Sequence, residues 1–139
     1  MDVEIVLGRL DDVGGDPLES LVAELAALFG VQFHDVTKGH RTFFAYVPPV
    51  DGPTREAALR YGVGAAGTEE FEVSVTYWPR DDEQPLSHPF HLDLTTEKLR
   101  EAEVGEQVYQ KLADTGRYRV ALMLDDHCLR SSHVPCEDW

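Results

Sequence analysis

Cysteine is scarce in this sequence, and long apolar runs are missing from it. The chain of 139 residues contains two cysteines, too few for the disulfide scaffold of a small secreted domain. No stretch reaches the ~18 consecutive apolar residues of a transmembrane helix, so no membrane span is expected. The acidic start lacks the basic and apolar regions of a signal peptide. We therefore expect a soluble cytoplasmic protein in which Cys128 and Cys136 remain reduced thiols.

Positive charge is also in short supply. Lys and Arg number 12 against 26 Asp and Glu, which leaves a formal net charge of -14. A negative field of this size repels nucleic acid and anionic membranes and favours a basic protein as the partner. The same acidity also serves plain solubility or adaptation to high salt, and the composition alone leaves that choice open.

Motifs with a known catalytic geometry are missing as well. The sequence contains no nucleophile-elbow serine, no H-E-x-x-H and no phosphate-binding loop. Gly62–Gly67 matches G-x-G-x-x-G, but a dinucleotide site needs a strand before these glycines and a helix after them. Here the preceding residues have a helical pattern, and Glu69 and Glu70 would repel a phosphate, so a flexible loop is the better interpretation. No catalytic residue and no cofactor are predicted.

The sequence does contain several short alternating strands and two long amphipathic helices. Alternation of apolar and polar residues predicts strands near 3–7, 31–36, 41–47, 70–78, 90–94 and 117–124. Apolar residues at helical spacing predict long helices near 17–29 and 97–113 and a short one near 55–61. Asp16, Pro17 and Glu19 are typical of a helix start, and Gly30 of a helix end. Gly105 weakens the second long helix by about 1 kcal/mol relative to Ala.

These elements predict an α+β fold. Every strong strand alternates, so one face of the sheet is apolar and the other meets water or a partner. The expected architecture is a two-layer sandwich, in which two long helices pack on one face of a mostly antiparallel sheet of five to six strands. Residues 1–130 would form this single domain, and residues 131–139 an irregular C-terminal tail.

Histidine, cysteine and aspartate form two groups with the side chains that zinc prefers. Their spacing is poor, because Cys128 and Cys136 are eight residues apart, whereas a zinc knuckle pairs ligands about two to four residues apart. Neighbouring acidic residues would also disfavour a reactive thiolate. We predict no bound metal, and the weak candidates for such a site are His88, His91, Asp93, His127, Cys128, His133 and Cys136.

Aromatic residues indicate a protein interface. Trp78 falls off the apolar face of its strand and precedes a charged loop, and exposed aromatics within a charged rim are typical interface anchors. The alternative is that Pro79 bends the strand and tucks Trp78 under a loop. Phe44 and Tyr46 have the opposite parity to Phe43, so one of these sets faces away from the core. The predicted interaction surface comprises Trp78, Arg80, Asp81, Asp82 and Glu83.

Small acidic domains without catalytic residues resemble, in composition, the immunity and inhibitor proteins that neutralise basic toxins or nucleases. The sequence therefore predicts a protein-binding module, an inhibitor or immunity-type partner of a basic protein, acting as a monomer or homodimer. Two alternatives remain. One is a small enzyme or metal-binding protein that uses the His/Cys/Asp cluster. The other is a dimeric ligand-binding regulatory domain whose seam is the polar side of the sheet.

Overall fold

The computed structural model describes residues 3–11, 14–37, 39, 41–47, 71–77, 88–96, 101–125 and 127–139. Three predicted features lie outside these residues: the short helix near 55–61, the glycine loop at 62–67 and the interaction surface from Trp78 to Glu83. The described residues contain seven strands and two α-helices. No helix among them is both long and apolar enough to cross a bilayer.

The seven strands form one antiparallel sheet, which confirms the predicted α+β class. Their order across the sheet is β2-β3-β4-β5-β1-β6-β7, so the N-terminal strand β1 lies inside the sheet, between β5 and β6. The strands are β1 (Val3–Arg9), β2 (His34–Asp35), β3 (Thr42–Val47), β4 (Phe71–Tyr77), β5 (Phe90–Thr95), β6 (Tyr118–Leu124) and β7 (His127–Ser131).

The prediction of five to six strands is wrong, because β7 adds a seventh at the sheet edge. The six predicted strands correspond to β1 through β6, although β2 is only two residues long. All described residues of β7 are exposed or half-buried, so the strand has no apolar face and its sequence shows no hydrophobic alternation. The strand β7 is instead defined by its hydrogen bonds to β6, which are interrupted by a register shift between Leu122 and Met123.

Helix α1 (Pro17–Phe29) begins and ends where the sequence predicts. The carboxylate of Asp16 accepts hydrogen bonds from the backbone N–H groups of Leu18 and Glu19, as a helix N-cap does. Gly30 ends the helix in the left-handed region, with φ 68°. Arg41 also contacts Asp16, and its hydrogen bond is the main reason that the pKa of the Asp16 carboxyl lies below its ordinary value. The cap therefore also ties α1 to the start of β3.

Helix α2 (Glu101–Asp114) shows why a glycine lies in its interior. Gly105 is buried, and a Cβ atom at this position would lie 2.6 Å from Cγ1 of Val3 and 2.9 Å from Cδ1 of Leu122. Real Cβ atoms do not approach other carbons so closely. The helix backbone therefore comes nearer to β1 and β6 than a larger residue would allow, and the low helix propensity of glycine is the accompanying cost.

Replacing Gly105 by valine is expected to lower the free energy of unfolding by about 1–3 kcal/mol, since the added carbons force the helix away from the sheet. Urea denaturation measures the change. A double variant with Val3→Ala removes one of the two methyl groups in the way, so the penalties of Gly105→Val and Val3→Ala should be less than additive. Strict additivity would show that Gly105 does not mediate this close approach.

Buried side chains of both helices belong to one hydrophobic cluster with the strands. On β1 the members are alternate residues, Val3, Ile5 and Leu7, which places the cluster on one face of the sheet. Both helices contribute, α1 with Leu25 and Phe29 among others and α2 with its own buried face. The sheet residues of the other parity point away from this core.

Candidate functional site

The sheet face that points away from the core carries most of the polar side chains of the strands. We call it the polar face. Strand pairing aligns its residues in rows that cross the sheet, and two of these rows run from β3 to β7. The first row runs through Thr42, Thr76, His91, Val6, Ala121 and Ser131. The second row runs through Phe44, Ser74, Asp93, Glu4, Met123 and Cys128.

Carboxylates and one imidazole meet at the centre of the polar face. Glu4 lies directly opposite Asp93 on the neighbouring strand, and like charges in this position repel each other. The Nδ1 atom of His91 is 3.1 Å from Oε1 of Glu4, and the His91 side chain is 15% exposed. Protonation of His91 would offset part of the repulsion. Another cationic group placed beside these carboxylates would do the same.

Aromatic side chains extend the polar face toward β3. Tyr46 is 46% exposed and lies directly opposite Glu72 on β4, while Phe44 in the second row is half-buried. Phe43 instead packs against the core. This decides the alternation that the sequence left open: Phe44 and Tyr46 are the set that faces away from the core. Tyr46 therefore presents exposed aromatic area beside the Glu72 carboxylate on this face.

The structure separates the weak metal candidates. His91 and Asp93 lie on the polar face, while His88 lies two residues before β5 and packs against Trp139. Nδ1 of His133 is 2.6 Å from Oγ of Ser132. Within the described ranges, no three His, Cys, Asp or Glu residues gather as a metal site would require. The sequence did not identify Glu4 as the partner of His91, although its alternation with Val3 and Ile5 placed it on the same face.

The expectation that Cys128 and Cys136 remain free thiols is wrong in the structure, where they form a disulfide. Their Cα atoms are 5.1 Å apart, within the usual range for such a bond. The chain turns back after β7 and brings the two residues together, which a separation of eight residues does not reveal. While bonded, neither sulfur is available as a zinc-binding thiolate. Cys128 pairs with Met123 of the second row, so the bond lies on the side of the polar face.

The disulfide joins β7 to the last residues of the chain, 132–139, which we call the C-terminal clip. The clip contains a 3-10 turn at Cys136–Asp138. The indole Nε1 of Trp139 donates to the carbonyl of Val134 at 3.3 Å. The Trp139 ring meets the ring of His88 edge-on, with 4.9 Å between centroids. Trp139, which follows β7 on one side of β1, therefore covers a histidine next to β5 on the opposite side of β1.

His88 is fully buried under this contact. Burial lowers the pKa of its imidazole from 6.5 to about 4, and the positive charge of Arg119 and of His133 when protonated acts in the same direction. His88 is therefore neutral at physiological pH. It acts as part of the packing beneath the clip and not as a cation that could bind an acidic partner.

A separate groove of about 420 Å³ lies between α1 and the start of β6. Its one carboxylate, Glu24, accepts a hydrogen bond from the Tyr118 hydroxyl at 3.1 Å and contacts Arg9 and, at 3.4 Å, Arg117. These partners occupy Glu24, so the groove's charged groups serve to hold α1 to β1 and β6. The residues lining it are Ala23, Glu24, Ala27, Leu28, Thr115, Arg117 and Tyr118.

No family model matches this chain, and neither a curated protein nor a solved structure does. Among the described parts of the chain, the polar face is the surface where charge, exposed aromatic area and regular strand geometry coincide.

Proposed function

We propose that this chain is a protein-binding module, an inhibitor or immunity-type partner of a basic protein, that acts in the cytoplasm. In this proposal the fold is a two-layer sandwich with both helices on the core side. The partner would contact the part of the polar face on β3, β4 and β5, where its exposed residues lie, because Val6 and Ala121 on β1 and β6 are buried. The observation that carries it is the juxtaposition on that face of exposed Tyr46 with Glu72, and of Glu4 with Asp93.

The two kinds of side chain would contribute at different stages of binding. A net charge of -14 creates a long-range field that guides a basic partner to the surface. Salt screens that field with a Debye length of about 8 Å at physiological ionic strength. Aromatic side chains act only in contact, where they exclude water. Charge should therefore control association, and the aromatics should control dissociation.

The predicted interaction surface at Trp78, Arg80, Asp81, Asp82 and Glu83 belongs to the same proposal. It follows directly on β4, the strand that presents Glu72 and Ser74 on the polar face. The loop would add three carboxylates and an indole to the carboxylates and phenol described above.

The test uses the basic products of the genes that flank this one, with surface plasmon resonance at two salt concentrations. Neutralising the polar face with Glu72→Gln and Asp93→Asn should slow association and flatten its salt dependence. Neutralising the loop with Asp81→Asn, Asp82→Asn and Glu83→Gln should do the same. The matched control, Glu103→Gln with Asp114→Asn, changes the net charge by the same two units on exposed positions of α2 and should affect association less.

Truncating an aromatic anchor should change the dissociation rate rather than the association rate. Tyr46→Ala or Trp78→Ala should speed dissociation about 30-fold, the equivalent of the ~2 kcal/mol typical of a central anchor. Leu10→Ala, another exposed apolar residue, should leave both rates unchanged. If a basic product binds tightly and none of these variants alters either rate, the interface lies elsewhere. If no flanking basic product binds, the proposal of an inhibitor or immunity-type function fails.

A further inference from the structure

We propose that the Cys128–Cys136 disulfide is a redox-controlled latch. In its oxidised form it holds Trp139 over His88, and its reduction by a protein dithiol releases residues 133–139 and uncovers that histidine. The proposal stands independently of the binding function. It assigns a site of thiol–disulfide exchange to the C-terminal clip and a local conformational consequence to the exchange.

The clip has a fixed end and a tethered end. At the fixed end, the backbone N–H of Ser132 donates to the carbonyl of Val120 at 2.9 Å. Ser132 Oγ in turn accepts from the Val120 N–H, also at 2.9 Å. This pairing continues the strand and does not need the disulfide. From Ser132 onward the chain leaves the sheet, and residues 133–139 are the part that can move.

The tethered end depends on the disulfide. Three hydrogen bonds run within residues 134–139: Asp138 N–H to Pro135 O, Trp139 N–H to Cys136 O, and the Trp139 indole to Val134 O. These bonds shape the turn but do not join it to the sheet. Among the described residues, the disulfide and the Trp139–His88 ring contact both link residues 134–139 to the sheet region.

One ring contact is too weak to hold the clip alone. An aromatic pair contributes a small fraction of the conformational entropy lost when several residues become ordered. The disulfide removes most of that entropy in advance, since it closes a short loop between Cys128 and Cys136 whether or not Trp139 is docked. Cleaving it restores the freedom of the segment, so Trp139 should leave His88 while the sheet stays folded.

A dithiol can reach the disulfide, because both cysteines are half-buried and not enclosed. A thiolate of the dithiol attacks one sulfur, the S–S bond breaks, and the leaving sulfur takes the electron pair and a proton from water. The second thiol of the reductant then attacks the mixed disulfide and releases the other cysteine. Cys128 and Cys136 gain two electrons and two protons as thiols, and the reductant becomes a disulfide.

The experiment follows Trp139 and His88 in the oxidised and reduced states of the Trp78→Phe variant, in which Trp139 is the one tryptophan left. Dithiothreitol serves as the dithiol probe. On reduction we expect the Trp139 emission to shift to longer wavelength. By NMR, the pKa of His88 should move from about 4 toward its ordinary 6.5. Far-ultraviolet circular dichroism should remain unchanged, because the opening is local.

Two variants test the disulfide and the Trp139–His88 contact separately. Cys128→Ser with Cys136→Ser should show the reduced behaviour at all times and not respond to dithiothreitol. Trp139→Ala should raise the pKa of His88 in the oxidised protein without breaking the disulfide. The latch is overturned if reduction leaves both Trp139 emission and the His88 pKa unchanged. Loss of the sheet signal on reduction would also overturn it, because the disulfide would then support the whole fold.

Discussion

Replacing Phe29 by alanine is expected to lower the free energy of unfolding by about 3–5 kcal/mol, the usual effect of removing a fully buried aromatic ring. Phe29 is 0% exposed at the end of α1. Its ring meets that of Phe71 on β4 edge-on, with 5.8 Å between centroids. The substitution leaves a cavity between helix and sheet and also removes the aromatic pair. Urea denaturation followed by circular dichroism measures the loss.

The matched control for Phe29→Ala is Leu129→Ala, which truncates an apolar side chain that is 48% exposed on β7. Its free energy of unfolding should stay within about 0.5 kcal/mol of the unmodified protein. The slope of the denaturation curve should be the same for both variants, because each unfolds from the same compact state. Equal losses in the two variants would contradict the placement of the core between α1 and the sheet.

Acidification should destabilise the protein through His88, by up to about 3 kcal/mol between pH 6.5 and pH 4. In the folded chain the pKa of His88 is about 4, against 6.5 for an ordinary histidine. Between these values the unfolded chain binds a proton that the folded chain excludes, so falling pH favours unfolding. The stability from a neutral His88 is therefore complete above about pH 6.5 and is lost as the pH falls toward 4.

The contribution of His88 is measured by comparing the unmodified protein with His88→Asn, which does not titrate. Carboxylates also titrate near the acid end of this range, and the comparison removes their common effect. The groups facing His88 are Arg119 of β6 and His133 of the clip, and both variants retain them. His127→Asn, at an exposed histidine, should keep the full acid sensitivity. Parallel pH profiles for the unmodified protein and His88→Asn would contradict a buried neutral histidine.

Local physics accounts for the features that the sequence predicted correctly. The helix α1 is encoded within its own residues, since Asp16 caps it, its apolar stripe faces the core and Gly30 ends it. The strands β1, β4, β5 and β6 are encoded by alternation, because a half-buried strand shows its two faces directly in the order of residues. The same alternation placed His91 and Asp93 on the opposite face of their strand from Phe90, Leu92 and Leu94 before any partner strand was known.

Local patterns of residues thus predicted the main element types, the α+β class and the acidity of the chain. Which elements meet depends on the tertiary structure, because strand register and chain reversal bring together residues that no local pattern connects. The edge strand β7 depends on hydrogen bonds to β6, Gly105 on the distance of α2 from Val3, and the Glu4–His91 pair on the register of β1 with β5. The Cys128–Cys136 bond and the Trp139–His88 contact follow from the turn after β7, whose polar residues carry no periodic signal.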